Sequence, residues 1–238
     1  MPYPGLTERT LQCPSGMFER KVWSLAPRAG RPTAAILFLD AELYLGRVGA
    51  AAVVRRLQEQ RAIPAAVAVF LSGGGAAARH KDFVCRPEYA RFIAGALVGS
   101  VREEHTGVTE IVITGLSLSG LAAAYTATRH PAVFRAAVCQ SPSFWWERAR
   151  FAEELPAATP AGPEFWISVG SRETEAGLSH PPSGLQQELT QVAGCVSAAA
   201  ALRTKGYRVS YREYDGGHDP ECRCDDLSLA LPSVWRRG

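Results

Sequence analysis

Apolar runs recur along this chain at intervals that suit a parallel sheet. Ala34 to Leu39, Ala66 to Leu71, Thr109 to Thr114, Phe134 to Cys139 and Phe165 to Val169 are continuous stretches, not alternating ones. A strand that is apolar on both sides belongs in a sheet covered on both faces. Glu19 to Leu25 alternates and reads as an early strand, and Tyr207 to Tyr214 reads as the last one. Helical patterns fill the gaps: Gly46 to Arg61, Pro87 to about His105, Leu121 to Thr128, Leu185 to Lys205 with Gly206 as its stop, and Leu227 to Arg236. Three stretches carry no regular pattern. Arg79 to Cys85 is basic and reads as irregular, Glu175 to Ser183 as loop, and Arg148 to Gly162 as a short helix and loop over the sheet's edge. Strands alternating with helices predict one α/β domain, a mainly parallel central sheet with helices on both faces. Residues 1–18 precede the patterned region and read as an N-terminal extension to a domain spanning 19–238.

In such sheets ligands bind beyond the carboxyl ends of the strands. Polar residues collect there: Asp40, Arg79, Ser117, Glu173 and His218, with Trp145 beside them. One of these positions is distinctive. Gly115-Leu116-Ser117-Leu118-Ser119-Gly120 lies between an apolar strand and an alanine-rich helix. Strand, sharp turn, helix, with serine at the apex, is the pattern of a nucleophile elbow, where only small residues fit beside an exposed hydroxyl. Ser119 stands where the pattern usually has glycine.

A serine hydroxyl needs a base, and histidine serves best near neutral pH. Of the five histidines, only His218 sits in a glycine-flanked loop directly after the last predicted strand. Glu173, just past the strand ending at Val169-Gly170, has the right place in chain order to orient it. Glu175 is a second candidate, and a serine–histidine dyad also fits. Oxyanion donors would be the backbone N–H groups of Leu118, at the helix start, and Ala41, after the first buried strand. Trp145 and Trp146 are expected to wall an aromatic pocket. Arg79, within Arg79-His80-Lys81, is expected to meet an anionic substrate.

Composition narrows the picture without redirecting it. The 238 residues suffice for a sizeable core, and a net charge of +3 is too weak to argue for nucleic acid. No run of about 18 apolar residues suggests a membrane span, and Met1 to Met17 does not read as a signal peptide. The expected compartment is the cytoplasm. Most of the six cysteines would then be free thiols, with Cys139 in the core. Cys222-Arg223-Cys224 lacks zinc-site spacing, so neither a metal nor an organic cofactor is expected.

Taken together, Leu37-Phe38-Leu39-Asp40, the Gly115–Gly120 elbow, Gln140-Ser141-Pro142-Ser143-Phe144-Trp145-Trp146 and Asp215-Gly216-Gly217-His218-Asp219 resemble the enterochelin (ferric enterobactin) esterase family. That family lies within the esterase D group of α/β-hydrolases. The likeness runs from about Lys21 to Trp235. It implies a single-domain α/β-hydrolase that cleaves a small-molecule ester, anionic or iron-loaded, through an acyl-serine intermediate. It implies Ser117 as nucleophile, His218 as base and Glu173 as acid. It also implies that Arg79 matches a family arginine, and that Cys85 and Cys222 match cysteines that lie close together and can pair. Ala41 replaces a usual glycine, and the extra N-terminal domain of the longer enterochelin esterases falls outside the likeness. These departures leave two further readings: a general carboxylesterase or acyltransferase for another natural-product ester, and a non-catalytic binding protein.

Overall fold

The computed structural model describes residues 3–159 and 162–236, so 160 and 161 of the expected Arg148–Gly162 loop lie outside the described residues. Among the described residues, eight strands form one sheet in the order β1-β2-β4-β3-β5-β6-β7-β10. They are β1 (Thr7–Gln12), β2 (Glu19–Leu25), β3 (Ala34–Leu39), β4 (Ala66–Leu71), β5 (Glu110–Leu116), β6 (Ala136–Gln140), β7 (Glu164–Gly170) and β10 (Val209–Tyr214). β1 and β2 run antiparallel to their neighbours, and all pairs from β4 to β10 are parallel. The segment read as an extension thus supplies an edge strand, β1, paired with β2 from Thr7↔Ser24 to Gln12↔Glu19.

The continuous apolar runs are explained by their two faces. In β3, Ala35, Leu37 and Leu39 join one core cluster, while Ala34, Ile36 and Phe38 join the other. Among the described residues, nine α-helices cover the sheet: α1 (Ala41–Leu43), α2 (Ala50–Glu59), α3 (Ala76–Asp82), α4 (Pro87–Arg91), α5 (Val98–Glu104), α6 (Leu118–Arg129), α7 (Arg150–Glu153), α8 (Gln191–Thr204) and α9 (Pro220–Ser233). Buried residues of α4, α5, α6 and α8 pack on the first face; those of α2 and α9 pack on the second. Stacked Phe38 and Phe70, with centroids 4.7 Å apart, tie β3 to β4 on that second face. Among the described residues, no helix is long and apolar enough to cross a membrane.

Four helical boundaries differ from the periodic pattern, each for a local reason. The helix expected from Gly46 is split: a π-helical turn, Tyr44–Val48, ends at Gly49 with φ 69°, and α2 starts afresh. The basic stretch expected to be irregular is α3, which begins at the alanine run before it. The helix expected from Leu185 begins only at Gln191, where Thr190 Oγ1 accepts from the Ala193 N–H at 3.0 Å as an N-cap. The residues ahead of it form a small hairpin, β8 (Leu178–His180) against β9 (Leu185–Gln187), closed through Gly184 at φ 72°. The last helix starts at Pro220, directly behind His218-Asp219, because proline suits a first helical position.

α8 approaches the loop after β6 closely. A Cβ at Gly194 would lie 2.9 Å from the Trp145 backbone nitrogen, whereas one at Gly99 in α5 would meet nothing within 4 Å. Alanine favours a helix interior over glycine by about 1 kcal/mol. Gly99→Ala should therefore raise the thermal midpoint, and Gly194→Ala should lower it; calorimetry of the two variants would check the opposite signs.

Candidate active site

The turn between β5 and α6 forces backbone against backbone. A Cβ at Gly115 would sit 2.0 Å from the Ser119 carbonyl oxygen, so only glycine permits the crossing. Ser117 takes φ 54° and ψ −124°, a conformation that non-glycine residues rarely adopt and that costs about 1–3 kcal/mol. Its N–H donates to Gln140 O at 3.0 Å, and its carbonyl accepts from Ser143 N–H at 2.9 Å. Gln140 ends β6 and Ser143 lies in the loop after it, so this strand end holds the strained apex. Ser119 earns its place by bonding. Its Oγ donates to Leu116 O at 2.7 Å and accepts from Leu116 N–H at 2.9 Å, closing the turn on itself.

Glu173 follows β7, and His218 follows β10, the neighbouring strand. The two loops touch: a Cβ at Gly170 would come 2.5 Å from Gly216 O, and Arg172 N–H donates to that same oxygen at 2.9 Å. His218 Nδ1 thereby lies 2.5 Å from Glu173 Oε2. A carboxylate only accepts, so Nδ1 carries a proton, and in the neutral imidazole Nε2 is left as an acceptor. The other oxygen, Oε1, accepts from Ser141 Oγ at 2.7 Å and Gly170 N–H at 2.8 Å. Burial pulls the Glu173 carboxyl pKa upward, but the bonds from His218, Ser141 and Gly170 outweigh it, and the net shift is below the ordinary range. Glu175 is exposed and makes no bond to His218.

Ser117 and His218 line one pocket of about 320 Å³, together with Trp145, Glu173, His180 and Gln191. Ser117 Oγ has Ser143 Oγ as its polar neighbour at 3.4 Å, and among the described residues no hydrogen bond joins it to His218. The N–H groups of Leu118 and Ala41 have no acceptor within the described protein. Each follows a residue with positive φ, Ser117 at 54° and Asp40 at 76°.

Other expected contacts fall elsewhere. Arg79 is not on the pocket wall. Its Nε and Nη2 bond Asp40 Oδ2 at 2.8 and 2.6 Å, so its charge is taken up by a buried carboxylate at the end of β3. The cation among the pocket-lining residues is Arg172, whose Nη1 reaches the exposed Asp215 at 2.7 Å. Trp145 lines the pocket, but Trp146 does not; it lies buried beneath the Arg150 guanidinium, 5.7 Å from the ring centroid. Cys85 and Cys222 are both free thiols. Cys85 packs on the first-face core, near Tyr125, while Cys222 Sγ packs by Gly216, so their surroundings do not meet.

The sequence pattern passed over the hairpin and the serine loop. His180 stacks on Trp145 with centroids 5.1 Å apart, and its Nε2 lies 2.9 Å from Gln187 Oε1. His80, on α3, has its Nδ1 2.6 Å from Ser183 Oγ, which fastens the hairpin's tip to the body of the fold. Gly177 and Gly184 around short polar segments were the available signal for this hairpin. A depressed carboxyl pKa contributes stability above the unfolded value and loses it as pH falls through the folded one. The stability advantage of the wild type over Glu173→Gln should accordingly be full near neutrality and shrink below pH 4.5, the ordinary glutamate value. Urea denaturation of both proteins across that range would check it.

Comparison with known proteins identifies the family of the chain. The family model described as Putative esterase matches residues 18–224. The Iron(III) enterobactin esterase of Escherichia coli K12 is 24% identical over 230 residues, covering 91% of this chain and 54% of the relative. The Iron(III) salmochelin esterase of Escherichia coli O6:H1 is 26% identical over 202 residues, covering 79% and 47%. The chain thus spans about half the length of these curated relatives. Among solved structures, the enterobactin esterase of Shigella flexneri, crystallised in the presence of enterobactin, superposes with a TM-score of 0.82 at 21% identity. That match covers 98% of this chain and 60% of the other. A siderophore hydrolase from Aspergillus nidulans superposes with a TM-score of 0.74 at 17% identity, covering 100% and 97%. These are α/β-hydrolase neighbours, and the matched span takes in the elbow, Glu173 and His218; the chain belongs to the Putative esterase family, as a distant relative of the enterobactin and salmochelin esterases.

Proposed function

We propose that this chain is a serine esterase whose nucleophile is Ser117, with His218 as base and Glu173 as the acid that holds it. One observation carries the reading: a strained serine at a strand–helix turn shares a pocket with a histidine whose far nitrogen is held by a buried carboxylate. Ser117 Oγ attacks the ester carbonyl while His218 Nε2 takes its proton. The carbonyl oxygen, now negative, moves toward the free N–H groups of Leu118 and Ala41, where the start of α6 adds its dipole. Collapse breaks the ester bond, and His218 returns the proton to the leaving alcohol. Water, deprotonated by the same nitrogen, then cleaves the acyl-serine and releases the acid.

The substrate we propose is an ester of the siderophore kind, which is what the relatives' names describe. The pocket volume of about 320 Å³ lies near the lower end of ligand sites. It suits one arm of a branched ester, set against Trp145 and His180, with the remainder outside. Arg172 takes the anion-binding role first expected of Arg79, because Asp40 already occupies Arg79. The charge on the substrate would account for a cation at this mouth.

Purified protein incubated with ferric and iron-free enterobactin, and analysed by chromatography and mass spectrometry, should yield linear and monomeric fragments. Ser117→Ala should reduce the rate by about 10⁴-fold or more while leaving the circular dichroism spectrum unchanged. Turnover of aryl esters without cleavage of enterobactin would keep the esterase and discard the siderophore. Product ratios that follow added alcohol would point to acyl transfer. A folded Ser117→Ala protein with full turnover would defeat the mechanism.

A further inference from the structure

Ser141 is a residue that the reaction scheme above does not use. It follows β6 directly, is fully buried, and has φ 41°. A side chain at such a φ is strained, and glycine would adopt it freely. A buried position that needed only a tight turn would therefore be served best by glycine. The serine keeps its hydroxyl at a cost, and the hydroxyl has a definite use: it reaches Glu173 Oε1 at 2.7 Å.

We propose that Ser141 is a positioning residue for the acid of the site, held in a strained backbone conformation so that its hydroxyl fixes one carboxylate oxygen and aims the other at His218. The proposal rests on the Ser117–His218–Glu173 reading. Rotation about the last bond of a glutamate is broad, and its two oxygens are equivalent until something distinguishes them. Here Ser141 Oγ and Gly170 N–H both bind Oε1, at 2.7 and 2.8 Å, so that Oε2 is the oxygen left for Nδ1. Because the carboxylate only accepts, the Ser141 hydroxyl donates to it. That leaves its lone pairs free to accept from Tyr214 OH, 3.2 Å away on β10. The Tyr214 hydroxyl, whose one proton is shared between Ser141 Oγ at 3.2 Å and Gly217 O at 3.5 Å, thus backs the Ser141–Glu173 bond.

The backbone of Ser141 is fastened from two sides. Its N–H donates to Ser168 O at 2.7 Å, and its carbonyl accepts from Gln191 Nε2. Gln191 Oε1 in turn accepts from Trp145 Nε1 at 2.6 Å. The pocket wall, the strained serine and the acid are consequently one bonded unit. Ser168 belongs to β7 and Gln191 to α8, so the strain at Ser141 is held by elements on either side of the site.

The test compares Ser141→Gly and Ser141→Ala with the wild type and Ser117→Ala, in kinetics and in proton NMR. Glycine relieves the backbone strain and removes the hydroxyl; alanine removes the hydroxyl alone. Both variants should lower kcat on the order of 10- to 100-fold, the value of a hydrogen bond to a charged group, with KM changed less than about twofold. Ser141→Gly should do so while keeping the wild-type thermal midpoint. Without the donor, Glu173 protonates more readily, so the acid limb of kcat/KM should move to higher pH. The low-field resonance of the His218 Nδ1 proton should shift upfield in both variants. A Ser141→Gly protein with wild-type kcat, acid limb and proton resonance would overturn the proposal. If the wild type shows no Ser117-dependent turnover, the esterase reading fails, and the resonance alone then decides whether Ser141 positions Glu173.

Discussion

The close crossing of α6 over the end of β5 is the constraint on which the rest of the site depends. At Gly115 the approach is too tight for any side chain, and the chain must turn within Leu116-Ser117. That turn forces Ser117 into a conformation that would relax if nothing opposed it. The opposition comes from β6, through Gln140 O and Ser143 N–H. It also comes from Ser119, which clasps Leu116 by both its N–H and its carbonyl. A glycine at position 119 would permit the crossing but could not supply these two bonds. The departure from the usual pattern is thus a different way of holding the same turn.

Strain recurs around this site. Asp40, Ser117 and Ser141 all have positive φ, and all stand at or just beyond the carboxyl ends of neighbouring strands β3, β5 and β6. Each is pinned by partners from another element: Asp40 by Arg79, Ser117 by the β6 loop, Ser141 by Ser168 and Gln191. The carboxyl ends of a parallel sheet are where strands leave their ladders, so backbone groups there are free to take unusual conformations and to face a ligand. The sheet bears the cost because six of its strands are parallel neighbours, five of them with side chains in both core clusters.

At the mouth of the pocket the charged side chains divide into buried and exposed ones. The pair Arg79–Asp40 is internal, and Arg172 stands at the wall instead. The β8–β9 hairpin brings His180 onto Trp145 and is tied down by His80 at its tip. Buried pairs such as Arg79–Asp40 favour structure over recognition, because a charge already neutralised gains little from a second partner. The more exposed groups, Arg172 and the β8–β9 hairpin, lie between β7 and α8.

Much of this was legible in the residues themselves. Continuous apolar runs require two covered faces, and a serine between two glycines after such a run reads as an elbow. The histidine in the Asp215–Asp219 loop and the glutamate after β7 follow from chain order. These signals are local, since the spacing of apolar positions and the size of turn residues act over a few neighbours. What only the tertiary structure decided depends on contacts distant in sequence. Glu173, and not Glu175, reaches His218 because the loops at Gly170 and Gly216 touch, strands apart in the chain. Arg79 was removed from the pocket by Asp40, 39 residues away. Trp146 turned inward while Trp145 faced the site, and Cys85 and Cys222 remained apart. Ser141 reached Glu173 across 32 residues. No periodicity encodes such pairings, because a side chain's partner is set by which strands become neighbours in the sheet.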